Sequence, residues 1–333
     1  HYDMARDGIA DMTWVSPGYQ AGRFPLFAAS ELPFMMANPG GGSAALDAWY
    51  RKHGSSEMKD VKLCMAHIHN GTLHSKKLIT EPGQIKGMKI RPANGTVAQM
   101  VTLLGGTNVQ VSAPESRDAL EKGVADAITF PWDSLISFGI DKVARQHIDF
   151  RLYAASFVWV LNKGFYDKLG AGQKKVIDAH CSNEWAAKVG AAWGDWEDSG
   201  EGKIEKMGGH AITKLTPQQL DAWRQAVAPM TAQWIAAADK AGANGRAVLD
   251  DLRAELADPL RGVELLRSYL AYSDYRHDEI ESGVTGTRYG NEAWDGRIEA
   301  VHRSSDALHG AIGLQLHSRK FTAAGEEAFV PDA

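Results

Sequence analysis

Cysteine is scarce in this chain: Cys64 and Cys181 are the only 2 among 333 residues. Their number, and the lack of metal-type spacing, argue against a disulfide framework or a zinc site; they neither prove nor exclude an oxidising compartment. Long apolar runs are missing as well, and no stretch approaches the roughly 18 to 20 residues that a membrane-spanning helix needs. Neither sign of charge dominates. The net charge is −5 with acids and bases interspersed, which disfavours nucleic acid and anionic membranes as partners. A glycine-rich phosphate loop, a nucleophile elbow and a Cys–His pairing are all lacking. So are an initiating methionine and a signal peptide. His1 to Ala10 reads as the end of a helix, and a fragment whose true beginning is missing is expected.

What is present is an ordinary globular composition, 44% hydrophobic and 23% charged, long enough for two lobes. The most informative stretch is Gly87-Met88-Lys89-Ile90-Arg91 with the Pro92-Ala93-Asn94-Gly95 turn behind it. A short apolar run delivers one arginine to the mouth of a strand-to-helix connection, where open α/β sheets bind small ligands. The planar fork of a guanidinium suits a carboxylate there. A second signal is a repeated joint. Arg6-Asp7-Gly8-Ile9-Ala10-Asp11-Met12 is echoed by Glu121-Lys122-Gly123-Val124-Ala125-Asp126-Ala127. Each reads as a helix ending in a left-handed glycine, followed by a strand, so two similar α/β halves are expected.

Further strands are expected at Val61 to His69, Asn108 to Ser112, Phe150 to Leu161 and His210 to Leu215. Helices are expected at Ser43 to Lys52, Thr96 to Leu104, Pro114 to Lys122, Gly172 to Lys206 and Thr216 to Lys240. The helix from Gly172 is long enough to run across both lobes, although Gly190 and Gly194 weaken it. The tail after Asp258-Pro259 turns mixed and polar, with helix expected at Leu260 to Tyr272 and Glu292 to His309.

These phrases, in order, resemble the DctP-type extracytoplasmic solute-binding proteins of TRAP transporters. The matching residues are Gly8-x-x-Asp11, Gly22-Arg23-Phe24-Pro25, Glu31-Leu32-Pro33-Phe34 and Gln84-Ile85-Lys86-Gly87-Met88-Lys89-Ile90-Arg91. They continue through Ala113-Pro114-Glu115-x-x-x-Ala119-Leu120-x-x-Gly123-x-x-Asp126, Leu161-Asn162-Lys163-x-Phe165-Tyr166-x-x-Leu169 and Leu215-Thr216-Pro217-x-x-x-x-x-Trp223. The resemblance covers residues 1–257. It implies a periplasmic receptor of α/β class, two-lobed, hinged and crossed by one long helix. Such a receptor closes on a small organic acid and hands it to the membrane subunits of the transporter, with no cofactor, metal or catalysis. It places 1–67 plus 157–196 in lobe I, incomplete at its N-terminus, and 68–156 plus 197–257 in lobe II. The tail, 258–333, has no recognised counterpart and reads as a fusion, a read-through or a mis-assembled frame.

Arg91 matches the family arginine that pairs with the ligand carboxylate. Many family members carry a polar residue where Phe130-Pro131-Trp132 stands, and Thr129 is the only polar candidate there. An acid with an apolar or aromatic body, stacked on Trp132 or Phe130, is therefore expected; Trp132 packing the base of the next helix is the alternative. Tyr19 and Trp14 follow the first-lobe strand as a facing wall, with core packing the stronger reading for Trp14. Arg23 is expected to brace its loop. Phe157 and Trp159 share one face of a strand, Trp159 in the core. His69 or Asn70 is a plausible donor to the ligand, and Asn94 and Thr96 either add donors or cap a helix, capping being expected of Thr96. Glu115, Asp7, Asp11 and Asp126 are read as structural. The rival reading is an α/β metal-dependent enzyme using His67, His69 and His74; a third is a non-functional fragment.

Overall fold

The computed structural model describes residues 1–36, 38–256, 263–281, 284–302 and 311–325. The chain divides into two compact units, His1–Leu256 and Ala257–Ala333.

In the first unit, α1 (Tyr2–Arg6) leads to β1 (Met12–Val15), and α2 (Pro39–His53) to the long β2 (Val61–Ser75). Next come β3 (Lys89–Arg91), α3 (Gly95–Leu103), β4 (Thr107–Asn108), α4 (Ser116–Glu121), β5 (Ala127–Phe130), α5 (Trp132–Ser137), β6 (Gln146–Asp149) and β7 (Tyr153–Asn162). The unit ends with α6 (Lys163–Lys168), α7 (Ala171–His180), α8 (Asn183–Lys206), β8 (Ala211–Lys214), α9 (Pro217–Val227), α10 (Pro229–Lys240) and α11 (Gly245–Leu256). Both joints form as expected: Gly8 and Gly123 adopt φ of 73° and 71°.

The strand order is β1-β7-β2-β5-β3-β4, with β6 on β2 and β8 on β6. β2 belongs to both halves. From Val61 to Gly71 it pairs antiparallel with β7; from Thr72 to Ser75 it pairs with β5, and His74 and Ser75 also meet β6. It therefore continues beyond the expected end at His69, because partners far away in sequence supply its second ladder. Along its first part, the other edge is covered by α2. The Ser43 hydroxyl accepts from Ile68 N (2.9 Å), Asp47 accepts from Ala66 N (2.9 Å), and Arg51 donates to the Cys64 carbonyl. Helical i, i+4, i+8 positions rise about 6 Å per step, close to the two-residue repeat of a strand, so one stripe serves alternate residues of that edge.

The expected helix from Gly172 to Lys206 is two helices. It breaks at Cys181, and the Ser182 hydroxyl, accepting from Trp185 N, starts α8. Cys181 is bonded to Cys64, which sits at a register shift in β2. No framework exists, yet the two cysteines do pair, a point that their wide separation concealed. α8 then crosses the unit, touching α2 at one end and α5 at the other. Its glycines permit those contacts. A Cβ on Gly190 would lie 1.9 Å from Ser43 Oγ, and one on Gly200 would lie 2.3 Å from the Asp133 backbone nitrogen. The buried Glu197 accepts from Ser134 N (2.9 Å) and Ser134 Oγ (2.5 Å), tying α8 to the first turn of α5.

Other boundaries differ for local reasons. Pro229 splits the helix expected over 216–240, since it has no N–H to continue the ladder. The strand expected at Asn108 to Ser112 shortens to Thr107–Asn108. Residues 150–161 fall after the end of β6 and within β7.

The second unit is a sheet of order β11-β10-β9, from β9 (Val263–Glu281), β10 (Val284–His302) and β11 (Ala311–Gly325). Antiparallel pairing stands where helix is expected, Leu265 with Val301 through Tyr272 with Trp294. Clustered apolar residues such as Leu265, Leu266, Tyr269 and Leu270 suit either period, and cross-strand pairing decides between them. Positions 260–262 and 303–309 of those expected helices lie outside the described residues.

Candidate functional site

Arg91 closes β3, held in parallel register between β4 (Ile90 with Asn108) and β5 (Arg91 with Ile128). The residue is 4% exposed. Its Nε donates to the Val111 carbonyl at 3.3 Å, and its guanidinium lies 5.3 Å from the centroid of the Phe130 ring. Among the described residues no carboxylate pairs with it. The same side chain lines a cavity of about 1160 Å³ together with Tyr19, Asn94, Gln99, Asn108 and Glu115. Gly18, Tyr19 and Ala21, from the loop after β1, line it too, and this loop packs on the start of α3: a Cβ on Gly95 would come within 3.1 Å of Ala21 Cβ and 3.2 Å of the Gly18 carbonyl oxygen.

The expected site residues separate into two groups. Arg91, Tyr19 and Asn94 line the cavity, Tyr19 being 60% exposed. Asn94 is also the cap of α3, its Oδ1 accepting from Val97 N at 2.8 Å. The capping expected of Thr96 thus falls to Asn94, and the Thr96 hydroxyl instead donates to Glu31 Oε2 at 3.0 Å. Phe130, Trp132, His69, Asn70 and Phe157 are buried and do not line that cavity. Phe130 reaches it through the Arg91 guanidinium above its ring. Trp132 packs edge-on against His74 at 5.0 Å and joins the cluster of Leu135 and Ile204, the helix-base packing that was its alternative.

Phe157 and His69 belong to an aromatic stack beneath α8. Trp14 lies 4.2 Å from Phe157 and 5.1 Å from Trp193, and His69 is 5.2 Å from Phe157 and 5.7 Å from Trp193. Trp14 Nε1 donates to His67 Nε2 at 2.9 Å. Burial depresses His67 to a pKa of about 4 and His69 to about 3, so both are neutral at pH 7. The Nδ1 atoms of both, and Asn70 Nδ2, are buried without a partner among the described residues. Arg23 braces its loop as expected, through Asp3 at 2.8 and 2.9 Å.

His74 goes elsewhere, which removes the geometry the metal reading needs. It heads a file of three imidazoles. Arg145 Nη1 donates to His210 Nε2 (2.6 Å), His210 Nδ1 to His147 Nε2 (2.9 Å), His147 Nδ1 to His74 Nδ1 (2.8 Å) and His74 Nε2 to the Phe130 carbonyl (3.1 Å). The two ends fix every tautomer, and the file is complete with all three rings neutral. Among the described residues no group of His, Cys, Asp or Glu is arranged to hold a metal ion.

Three residues here escape sequence reasoning. Trp193 reads as no more than one apolar position of a helix. Glu31 stands only as part of a motif, yet it is fully buried with Oε1 unpartnered, its pKa pushed up to about 8 by burial. Tyr153 carries no local signal.

Comparison with known proteins agrees with this architecture. Residues 1–237 match the family model described as DctP, bacterial extracellular solute-binding protein, family 7. A solute-binding protein of Verminephrobacter eiseniae is 27% identical over 236 residues, 68% of each chain. A TRAP solute-binding protein of Rhodoferax ferrireducens, solved with copurified benzoate, is 30% identical with a TM-score of 0.74, covering 77% of this chain and 81% of that one. One from Bordetella bronchiseptica, with (R)- and (S)-mandelate bound, is 29% identical with a TM-score of 0.72, covering 77% and 83%. This chain belongs to the DctP family, the extracellular solute-binding proteins of family 7, whose fold serves transport.

Proposed function

We propose that this protein binds a small organic carboxylate with an aromatic body between its two lobes, through Arg91, and delivers it to the membrane subunits of a TRAP-type transporter in the periplasm. The observation that carries the reading is a buried guanidinium on a cavity wall with no carboxylate paired to it among the described residues. A buried charge is costly unless paired, so an anion brought by the ligand completes it. The apolar character of Phe130, against which the guanidinium lies, favours a flat apolar body over a heavily hydroxylated one. Relatives holding benzoate and mandelate support the same class. The Cys64–Cys181 bond supports an oxidising compartment. The point where β2 changes partner, Gly71 to Thr72, near the start of β7, is our candidate for the hinge.

A thermal-shift screen tests this. Benzoate, phenylacetate and mandelate should raise the melting point, because a ligand that binds only the folded state stabilises it. Benzamide and a sugar acid should not. A response to the sugar acid alone would overturn the aromatic assignment.

A further inference from the structure

We infer that Tyr153 is a second ligand-binding residue, its phenol donating a hydrogen bond to the carboxylate that Arg91 holds. The inference rests on the reading of Arg91 above. Tyr153 and Gly71 are the last pair of the β2–β7 ladder, and the next residue of β2, Thr72, pairs with Phe130. Tyr153 thus stands at the junction of the two ladders, beside the strand that packs against Arg91. Its ring lies over Gly71: a Cβ there would come within 2.3 Å of Cζ and 2.4 Å of Oη, so only glycine admits the ring in this position. The residue is 2% exposed, and among the described residues Oη makes no well-formed hydrogen bond, with only a weak contact to the Thr129 hydroxyl.

Two donors with no anionic partner among the described residues therefore lie in one neighbourhood, Arg91 on the cavity wall and Tyr153 outside its lining. Arg91 is close enough to act electrostatically on the phenol, and the Thr129 hydroxyl is a further polar neighbour. The Thr129 oxygen already accepts from Ala93 N at 2.7 Å. Burial outweighs these influences and keeps the phenol protonated, so it can only donate to an anion. A carboxylate offers two oxygens with several lone pairs and can satisfy the guanidinium fork and one further donor together. A neutral amide or alcohol meets this demand less well.

The test is calorimetric titration of benzoate into wild type, Tyr153→Phe and Arg91→Ala. Tyr153→Phe should bind benzoate roughly ten- to a hundredfold more weakly, the loss of one hydrogen bond to a charged group. Its melting point without ligand should fall little, since the hydroxyl has only the weak Thr129 contact to lose. In protein carrying ¹³C at the tyrosine ζ carbon, benzoate should shift the wild-type resonance that is absent from the spectrum of Tyr153→Phe, which separates it from Tyr19 on the cavity wall. Wild-type affinity in Tyr153→Phe with no ζ-carbon shift, while Arg91→Ala still loses binding, would overturn the role of Tyr153 and leave that of Arg91 standing. Undiminished affinity in Arg91→Ala would overturn both.

Discussion

Replacing Glu31 by glutamine should remove a pH dependence from folding. Glu31 is fully buried on the turn before Leu32, its Oε2 accepting from Thr96 and its Oε1 lacking a partner. Burial raises its pKa from 4.5 to about 8. The sign follows from linkage. Between the two pKa values the folded state holds a proton that the unfolded chain has released, so stability is full below about pH 4.5 and falls as pH rises toward about 8. Each tenfold change in proton affinity is worth about 1.36 kcal/mol, so the loss across that window is of order 4 kcal/mol. Glutamine keeps an oxygen for the Thr96 hydroxyl and does not titrate. Urea unfolding of wild type and Glu31→Gln at pH 5, 6, 7 and 8 should give a stability difference that grows with pH in favour of the variant. For a unit of this size that corresponds to roughly 8–16 °C in melting temperature. A difference constant across the series would mean that Glu31 titrates like an exposed carboxyl, and the reasoning would fail.

On the acid side the histidines act in the opposite sense. His67, His69 and His147 have folded pKa values of about 4, 3 and 4, so stability is lost as pH falls from about 6.5 toward 4, and a urea midpoint unchanged between pH 7 and pH 5 would contradict this. Reducing the Cys64–Cys181 bond, which joins residues 117 apart, should destabilise the fold by about 4–5 kcal/mol; melts with and without a phosphine reductant test it, and equal midpoints would count against it. Gly200→Ala should cost about 1–3 kcal/mol because its methyl meets the α5 backbone. Gly202→Ala, with open space around it on the same helix, should not destabilise, and equal effects of the two changes would remove the close-approach argument.

The parts legible in the sequence were local. A left-handed glycine followed by an aspartate marks a helix-to-strand joint wherever it falls, and Asp126 shows why: it accepts from Lys89 N at 2.8 Å and so docks the joint onto the next strand. The placement of Arg91 at the end of a strand was legible because a strand, a turn and a helix cap lie in one phrase. What escaped depends on residues far apart in the chain. The second half of β2 exists because β5 and β6 pair with it, and nothing within 70–75 announces that. The disulfide, the stacking of Trp193 over His69 and the ring of Tyr153 on Gly71 likewise join distant segments. Glycines in α8 look like weaknesses of a helix and are instead the sites where two other helices approach it. The tail reads as helix because its apolar residues fit two periods, and only cross-strand partners choose between them.

The central claim is that the buried Arg91 guanidinium receives the ligand's negative charge. Benzoate titrated into wild type, Arg91→Ala and Arg91→Lys tests it most directly. Loss of two charge-assisted bonds, roughly 1.5–3 kcal/mol each, predicts a drop of about a hundredfold or more in Arg91→Ala and only partial recovery in Arg91→Lys, whose point charge cannot make both contacts. Equal affinity in all three proteins would contradict the account.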